Sequence, residues 1–318
     1  MNRRPAVSVI VPTLNRPADL REALRSITCQ QALDLAEVEV VVVNDGGAPI
    51  ESVLSAARDQ GLPVTAATHT QRRGLPSARN TGLEHARGET IAFLDDDDVF
   101  LPEHLSTALG ALDSSAGLDG VATSCLVTDH RVDPTTPVTD AVVWDVAFDP
   151  LLLQACNLFP VHAAVFRRPG SARLDPGLPA IEDWDFWLRL MHAYRYRFAR
   201  LSAPTVVYHR LAQADSMISA VADGTRSMAE FSGLVRRLWS RWPATTAHAR
   251  RFRLYSGLMY WHVLGRLATG QVLNPHYYLH CLQELAHAWN RPDDEAALVE
   301  RISQAVEGHA TDDQHAAA

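Results

Sequence analysis

Short apolar runs alternate with stretches of helical period between residues 7 and 118, and this alternation limits the fold more than any other feature. Residues 7–11 form a β-branched run that stops at Pro12, a first strand. Residues 17–29 place Leu20, Leu24 and Ile27 on one helical face. Residues 38–43 run into Asn44-Asp45-Gly46-Gly47, which reads as a strand and a turn. A helix is expected at 50–58, a weaker strand at 64–67, a helix at 77–86 closed by Gly88, and a fourth strand at 90–94. Pro102 is expected to open the next helix in its first turn, where a missing N–H does no harm. This order predicts a mostly parallel sheet with helices on both faces.

The pattern loosens after residue 118. Residues 121–127 and 141–148 read as strands around a polar loop at 134–137, 184–194 as a helix and 205–208 as a strand. From about residue 220 the chain is helical in character, with Pro243 and Pro275 separating helices. At 318 residues, two domains, or one large domain with an appendage, are expected. We divide the chain into a catalytic domain at 1–218, a helical region at 219–310 and a frayed tail at 311–318.

Composition removes several chemistries. All 29 basic residues are Arg, so there is no Schiff-base lysine and no P-loop lysine. No GxGxxG follows the first strand, which disfavours nicotinamide and flavin enzymes. The four cysteines form no CxxC pair, so a cysteine zinc site is not expected. The apolar run 6–11 is too short for a signal peptide, and no run is long enough for a membrane span. Scattered thiols and no leader point to the cytoplasm, with peripheral attachment at the inner face of the membrane as a second location.

Ligands of an open parallel sheet bind beyond the carboxyl ends of its strands. There the sequence places Pro12-Thr13-Leu14-Asn15, Asn44-Asp45-Gly46-Gly47 and Asp95-Asp96-Asp97-Asp98. Four adjacent carboxylates after a buried run repel one another, and a divalent metal would offset that cost. The plainer account is a solvated acidic turn. Asp45 is placed to accept hydrogen bonds from a ribose or base. Arg79 is either a diphosphate contact or an ordinary helix-surface arginine. The run Glu182-Asp183-Trp184-Asp185 opens a helix, where carboxylates serve as caps or as a general base.

Together VSVIVPTLNRP at 7–17, VVVNDGG at 41–47, GLPSARNTGLEHARGETIAFLDDDDVFLPEHL at 74–105 and EDWDFWLRL at 182–190 resemble the inverting family 2 glycosyltransferases with the GT-A fold. The resemblance covers roughly residues 7–210. It implies an α/β fold of the nucleotide-diphospho-sugar transferase type, a Rossmann-like mixed sheet flanked by helices, here with a C-terminal α-helical extension. It implies that Pro12, Thr13 and Asn15 line a nucleotide pocket, with Asp45 on the base or ribose side and Arg79 near the uracil or diphosphate. Asp95 and Asp97 are the signature carboxylates of the Asp-x-Asp pattern, with Asp97 on the metal (Mg²⁺ or Mn²⁺) and Asp96 on the ribose. Asp183 is the implied catalytic base, with Glu182 beside it. Leu14 stands where many members carry a base-stacking Tyr. His209 matches a metal-binding His of some members, and a lone His after a strand is also a common structural residue. Asn157 and His162 resemble a segment bordering the acceptor site.

The implied reaction moves a sugar, with inversion, from a nucleoside diphosphate sugar to a hydroxyl of a carbohydrate or lipid-linked acceptor. Such reactions serve cell-surface polysaccharide, glycolipid or secondary-metabolite glycosylation. Two rivals keep the fold: a non-catalytic nucleotide-sugar-binding or scaffold protein, and a sugar-phosphate nucleotidyltransferase. The latter wants a basic Gly-rich loop after strand 1, and PTLNRPADL is not one.

Residues 231–283 contain no Asp or Glu but carry Arg236, Arg237, Arg241, Arg250, Arg251, Arg253 and Arg266 among many aromatics. On a chain of net charge -8 this asymmetry has two accounts. One is a peripheral membrane contact through an interfacial helix. The other is an aromatic helical core whose arginines meet the acidic catalytic domain. Nucleic acid is not an expected partner, since no recognition motif is present.

Overall fold

The computed structural model describes residues 4–211, 228–291 and 294–307. The first half follows the expected alternation: β1 (Val7–Thr13), α1 (Pro17–Thr28), β2 (Val38–Asn44), α2 (Glu51–Asp59), β3 (Val64–Thr68), α3 (Leu75–His85) and β4 (Thr90–Phe93). β1 does not stop at Pro12. Its last pair with β4 is Ile10↔Phe93, while pairing with β2 runs on to Thr13↔Asn44. Pro12 thus lies beyond the part of β1 that β4 pairs, where a strand tolerates a missing N–H.

Next come β5 (Val99–Phe100), α4 (His104–Ser114), β6 (Gly120–Thr128), β7 (Val142–Trp144), β8 (Ala164–Arg167), α5 (Glu182–His192) and β9 (Phe198–His209). α4 begins two residues after Pro102, because a turn closed by His104 N–H on the Leu101 carbonyl (3.0 Å) intervenes. The Gln30 side chain from the end of α1 then accepts the Leu105 N–H at 2.9 Å, satisfying one of the orphan donors of the helix start.

The strand order is β3-β2-β1-β4-β8-β6-β9-β5, with β7 on β6. The sheet is mixed rather than mostly parallel. β3, β2, β1 and β4 are parallel neighbours, but β8 is antiparallel to both β4 and β6. β6 and β9 run parallel, with a register shift near Pro204, so β9 is much longer than its 205–208 signal.

The described residues form two compact units. The first holds the sheet and α1–α5. Its aromatic core stacks Phe166 on Phe93 (5.7 Å), Phe186 (5.8 Å) and Trp187 (5.5 Å). Each such ring, fully buried, contributes roughly 1.5–3 kcal/mol. Phe186 and Trp187 belong to α5, so this core fixes that helix and the acidic residues at its start.

The second unit comprises α6 (Met228–Arg241), α7 (Ala247–Ala268), α8 (Tyr277–Asn290) and α9 (Glu295–Val306), together with the segment Val146–Leu158. That segment falls inside the span we read as catalytic, yet it groups with the helices. Trp289 Nε1 donates to Asp149 (2.9 Å), Arg253 Nε to the Gln154 carbonyl (2.8 Å) and Tyr278 OH to the Asn157 carbonyl (3.1 Å). β7 ends at Trp144, short of the expected residue 148, and the segment grouped with the helices begins at Val146. Pro243 and Pro275 lie between helices, as expected. Phe252, His248 and Trp289 form an aromatic core here. No described helix is long and apolar enough to cross a membrane. The 218/219 boundary and the 311–318 tail lie outside the described residues.

Candidate active site

β1, β2 and β4 are parallel, so their carboxyl ends open on one side of the sheet. There the Asp95–Asp98 run leaves β4, and α3 and α5 contribute side chains from longer range. Arg79, on α3, is only 1% exposed. Its Nη2 donates to Asp95 (2.5 Å) and its Nη1 to Glu182 (2.6 Å), and its guanidinium lies 5.6 Å from the Phe93 ring centroid. Burial alone would lower the Arg79 pKa, but Asp95 and Glu182 more than offset that and hold it above its ordinary value. Arg79 is therefore a buried brace between two acidic segments. It is neither a surface arginine nor open toward a diphosphate.

Burial pushes the Glu182 carboxyl up to about 7, against the opposing charge of Arg79. Asp183 is half-buried on the first turn of α5, and its Oδ1 accepts the Trp184 N–H at 2.8 Å. Ile181 precedes this turn in the left-handed region, at φ 58° and ψ 17°. A β-branched residue is strained there, and such strain gathers at functional sites.

Each aspartate of the run has its own surroundings. Asp96 accepts from Thr13 Oγ1 (2.6 Å) and Arg16 Nη1 (3.3 Å), and burial pushes it up to about 7. It faces the end of β1 rather than an open ribose site. Asp97 accepts from Arg16 Nη1 at 2.8 Å, and burial and Asp95 raise its pKa. Asp98 is buried and accepts the His209 backbone N–H at 2.8 Å. Its Oδ2 lies 3.2 Å from His162 Nδ1 without an aligned hydrogen bond. Burial and its aspartate neighbours raise the Asp98 pKa well above the usual range.

The remaining expected residues are mostly engaged by the protein itself. Asp45 accepts from His69 Nδ1 (2.6 Å) and from the N–H groups of Arg73 and Gly74 (2.8 Å each). It thus organises the loop entering α3. Asn15, at φ 57°, accepts the Ala48 N–H at 2.8 Å, tying the ends of β1 and β2 together. Pro12 is buried within β1. His209 Nδ1 donates to the Asp97 carbonyl (2.7 Å), and its Nε2 accepts the Val132 N–H (3.2 Å). With both ring nitrogens occupied, His209 latches β9 to the aspartate turn, the structural alternative for a lone histidine. Asn157 sits in the helical unit, whereas His162 reaches the site.

Asp97 and His209, expected on the metal, are engaged here by Arg16 and by the Asp97 carbonyl and Val132 N–H respectively. Among the described residues, Asp95, Asp98 and His162 bring one ligand atom each within 4.8 Å of one another. Two observations fit an ion there. Asp98 Oδ2 is a buried carboxylate oxygen with no hydrogen-bond partner. Burial pushes His162 down to about 4, so its imidazole is neutral at pH 7, the form that ligates metals. Two carboxylates and an imidazole suit Mn²⁺ better than Mg²⁺, which prefers oxygen alone. The sequence assigns no role to Arg16, and Asp98 enters there only as a member of the aspartate run.

Comparison with known proteins gives the relationship. The profile of glycosyl transferase family 2 matches residues 8–171, a little over half of the chain. An uncharacterised glycosyltransferase of Haemophilus influenzae is 24% identical over 205 residues, which span 62% of this chain and 66% of that protein. The GalNAc(5)-diNAcBac-PP-undecaprenol beta-1,3-glucosyltransferase of Campylobacter jejuni is 34% identical over 125 residues, 39% of each chain. Among solved structures, Staphylococcus aureus TarS 1-349 in complex with UDP-GlcNAc aligns with a TM-score of 0.62 at 19% identity, covering 94% of this chain and 90% of that one. At that identity the structural match speaks for the GT-A fold, and the profile speaks for descent: this chain belongs to glycosyl transferase family 2.

Proposed function

We propose that this chain is a metal-dependent, inverting glycosyltransferase that uses a nucleoside diphosphate sugar and an acceptor hydroxyl. The observation that carries this reading is the Arg79 brace, which holds the start of α5 against the aspartate run at the strand ends. A base and a leaving-group site thereby adjoin. The positive end of α5 favours negative charge on its first turn. There Asp183 takes the proton of the acceptor hydroxyl as that oxygen bonds to the anomeric carbon. The bond from that carbon to the diphosphate breaks on the opposite face, the electron pair leaves with the phosphate, and configuration inverts. Glu182, committed to Arg79, holds the helix start rather than the proton.

Asp95, Asp98 and His162 would hold Mn²⁺ or Mg²⁺, which when bound neutralises charge developing on a leaving diphosphate. Thr13 and Asp96 shape the end of β1 beside it. The donor class follows the UDP-GlcNAc bound by TarS. The Campylobacter relative, named for a lipid-linked substrate, favours a carbohydrate or lipid-linked acceptor.

The test is binding of UDP, GDP and dTDP to the purified chain with and without Mn²⁺, followed by a donor screen with the selected base. One nucleotide should bind in a metal-dependent way, and Asp98→Ala should abolish that dependence. Asp183→Asn should keep nucleotide affinity while transfer falls by a factor on the order of 10³, toward the loss of general-base catalysis. If no nucleotide binds with metal, the chain is a non-catalytic member of its family.

A further inference from the structure

We propose that the outward face of α7 is a docking surface for an anionic lipid bilayer. α7 is apolar on two sides. Its inner side buries Phe252, Met259, Tyr260 and Val263. On the other side Leu254 is 72% exposed and Trp261 69% exposed. These two lie seven residues apart, two helical turns, with half-exposed Leu258 between them on the same stripe. A core helix has no need of this second face, because water pays nothing for it. Gly257 and Gly265 border it, and a Cβ built on either meets nothing within 4 Å among the described residues, so no described side chain covers the face there.

Charge selects the occupant. Arg250 and Arg251 stand exposed at the amino-terminal end of the same stripe. Arg251 reaches one carboxylate, the exposed Glu295, at 3.4 Å. Exposed Arg236 and Arg237 add positive charge on α6, whose Phe231 packs against Tyr260 of α7. No Asp or Glu occurs from residue 231 to 283. A second copy of this chain would add arginines to that face and no carboxylates from this stretch. A surface of anionic headgroups over acyl chains matches both halves: phosphates for the arginines, and the interfacial zone for the Trp and Leu side chains. The inference is independent of the transferase reading, since docking requires neither donor nor metal.

The experiment is vesicle flotation of the full chain. Phosphatidylcholine vesicles are compared with vesicles containing about one-third phosphatidylglycerol, at low and high salt. Binding should require the anionic lipid and weaken as salt rises. Leu254→Glu combined with Trp261→Glu should weaken it by about tenfold or more, and Arg250→Ala with Arg251→Ala by several-fold with a flatter salt dependence. All four side chains are exposed, so the melting temperature should not change. Three results overturn the proposal: no vesicle binding, binding unchanged in the glutamate variant, or a lipid-free dimer in sedimentation velocity that Trp261→Glu splits.

Discussion

Arg16 stands beside the aspartates as a cation would, 2.8 Å from Asp97 Oδ2 and 3.3 Å from Asp96 Oδ1. A divalent ion near that run competes with this guanidinium. Arg16→Ala should therefore bind Mn²⁺ several-fold more tightly in the absence of nucleotide, read by calorimetry or Mn²⁺ paramagnetic resonance. Unchanged or weaker Mn²⁺ affinity would show that the arginine does not compete. The aspartate run and the acidic start of α5 were legible in the sequence because each is contiguous. The role of Arg79 was not, because its partner Glu182 is 103 residues away. The approach of His162 to Asp98 is not legible either, since spacing alone says nothing of the antiparallel strand that carries the segment after it back beside β4. Arg16 and Asp98 both lie inside motifs quoted for the family, but a motif does not say which of its side chains meet: Arg16 reaches the aspartates across 80 residues of chain.

At the scale of elements, α3 carries Arg79 and must therefore lie close on the sheet. Gly82 allows this, because a Cβ there would meet Ile10 Cγ2 of β1 at 2.2 Å. Gly82→Ala should destabilise the fold by about 1–3 kcal/mol through overpacking. Ile10→Ala alone should cost about 2–5 kcal/mol through its cavity. The double variant should cost less than the sum, measured by urea unfolding. Strict additivity would mean that α3 does not touch β1 at this point. Four strands of the first half were readable because each is a β-branched run with a marked end. β8 was not, since Ala164–Arg167 is the last part of an apolar stretch that begins at Leu151, and its start has no break of its own even though Pro169-Gly170 marks its end. β5 has two residues, too few for any period. β9 hides its first half behind Arg200, Ser202 and Pro204, which alternation does not flag as strand.

For the whole molecule, buried titratable groups set opposing responses to pH. Burial pushes His104 down to about 3 and His162 down to about 4, from 6.5. Below pH 6.5 the unfolded chain binds protons that the native chain refuses, so stability falls with pH by up to about 1.4 kcal/mol per unit for each histidine. Asp96 and Glu182, both pushed up to about 7 by burial, act in the other direction: without metal they weaken the fold as pH rises toward 7. His104 donates to or accepts from Thr205 at 2.8 Å, and burial followed by the neighbouring His162 sets its pKa rather than any aspartate, so it reports the first effect. His104→Gln should lose less stability than the wild type between pH 6.5 and about 4, followed by calorimetry. An identical loss in both would assign the acid response to other groups.

The excursion of Val146–Leu158 into the helical unit has a consequence for how such a protein can be rebuilt. The helices are not a tail hung on the end of an otherwise finished enzyme, because the chain visits them mid-sequence and returns to build β8. A chimera that exchanges only the C-terminal third would leave Asp149, Gln154 and Asn157 facing strangers in place of Trp289, Arg253 and Tyr278. The natural unit of exchange is discontinuous: a short inner loop and a long outer one, inherited together.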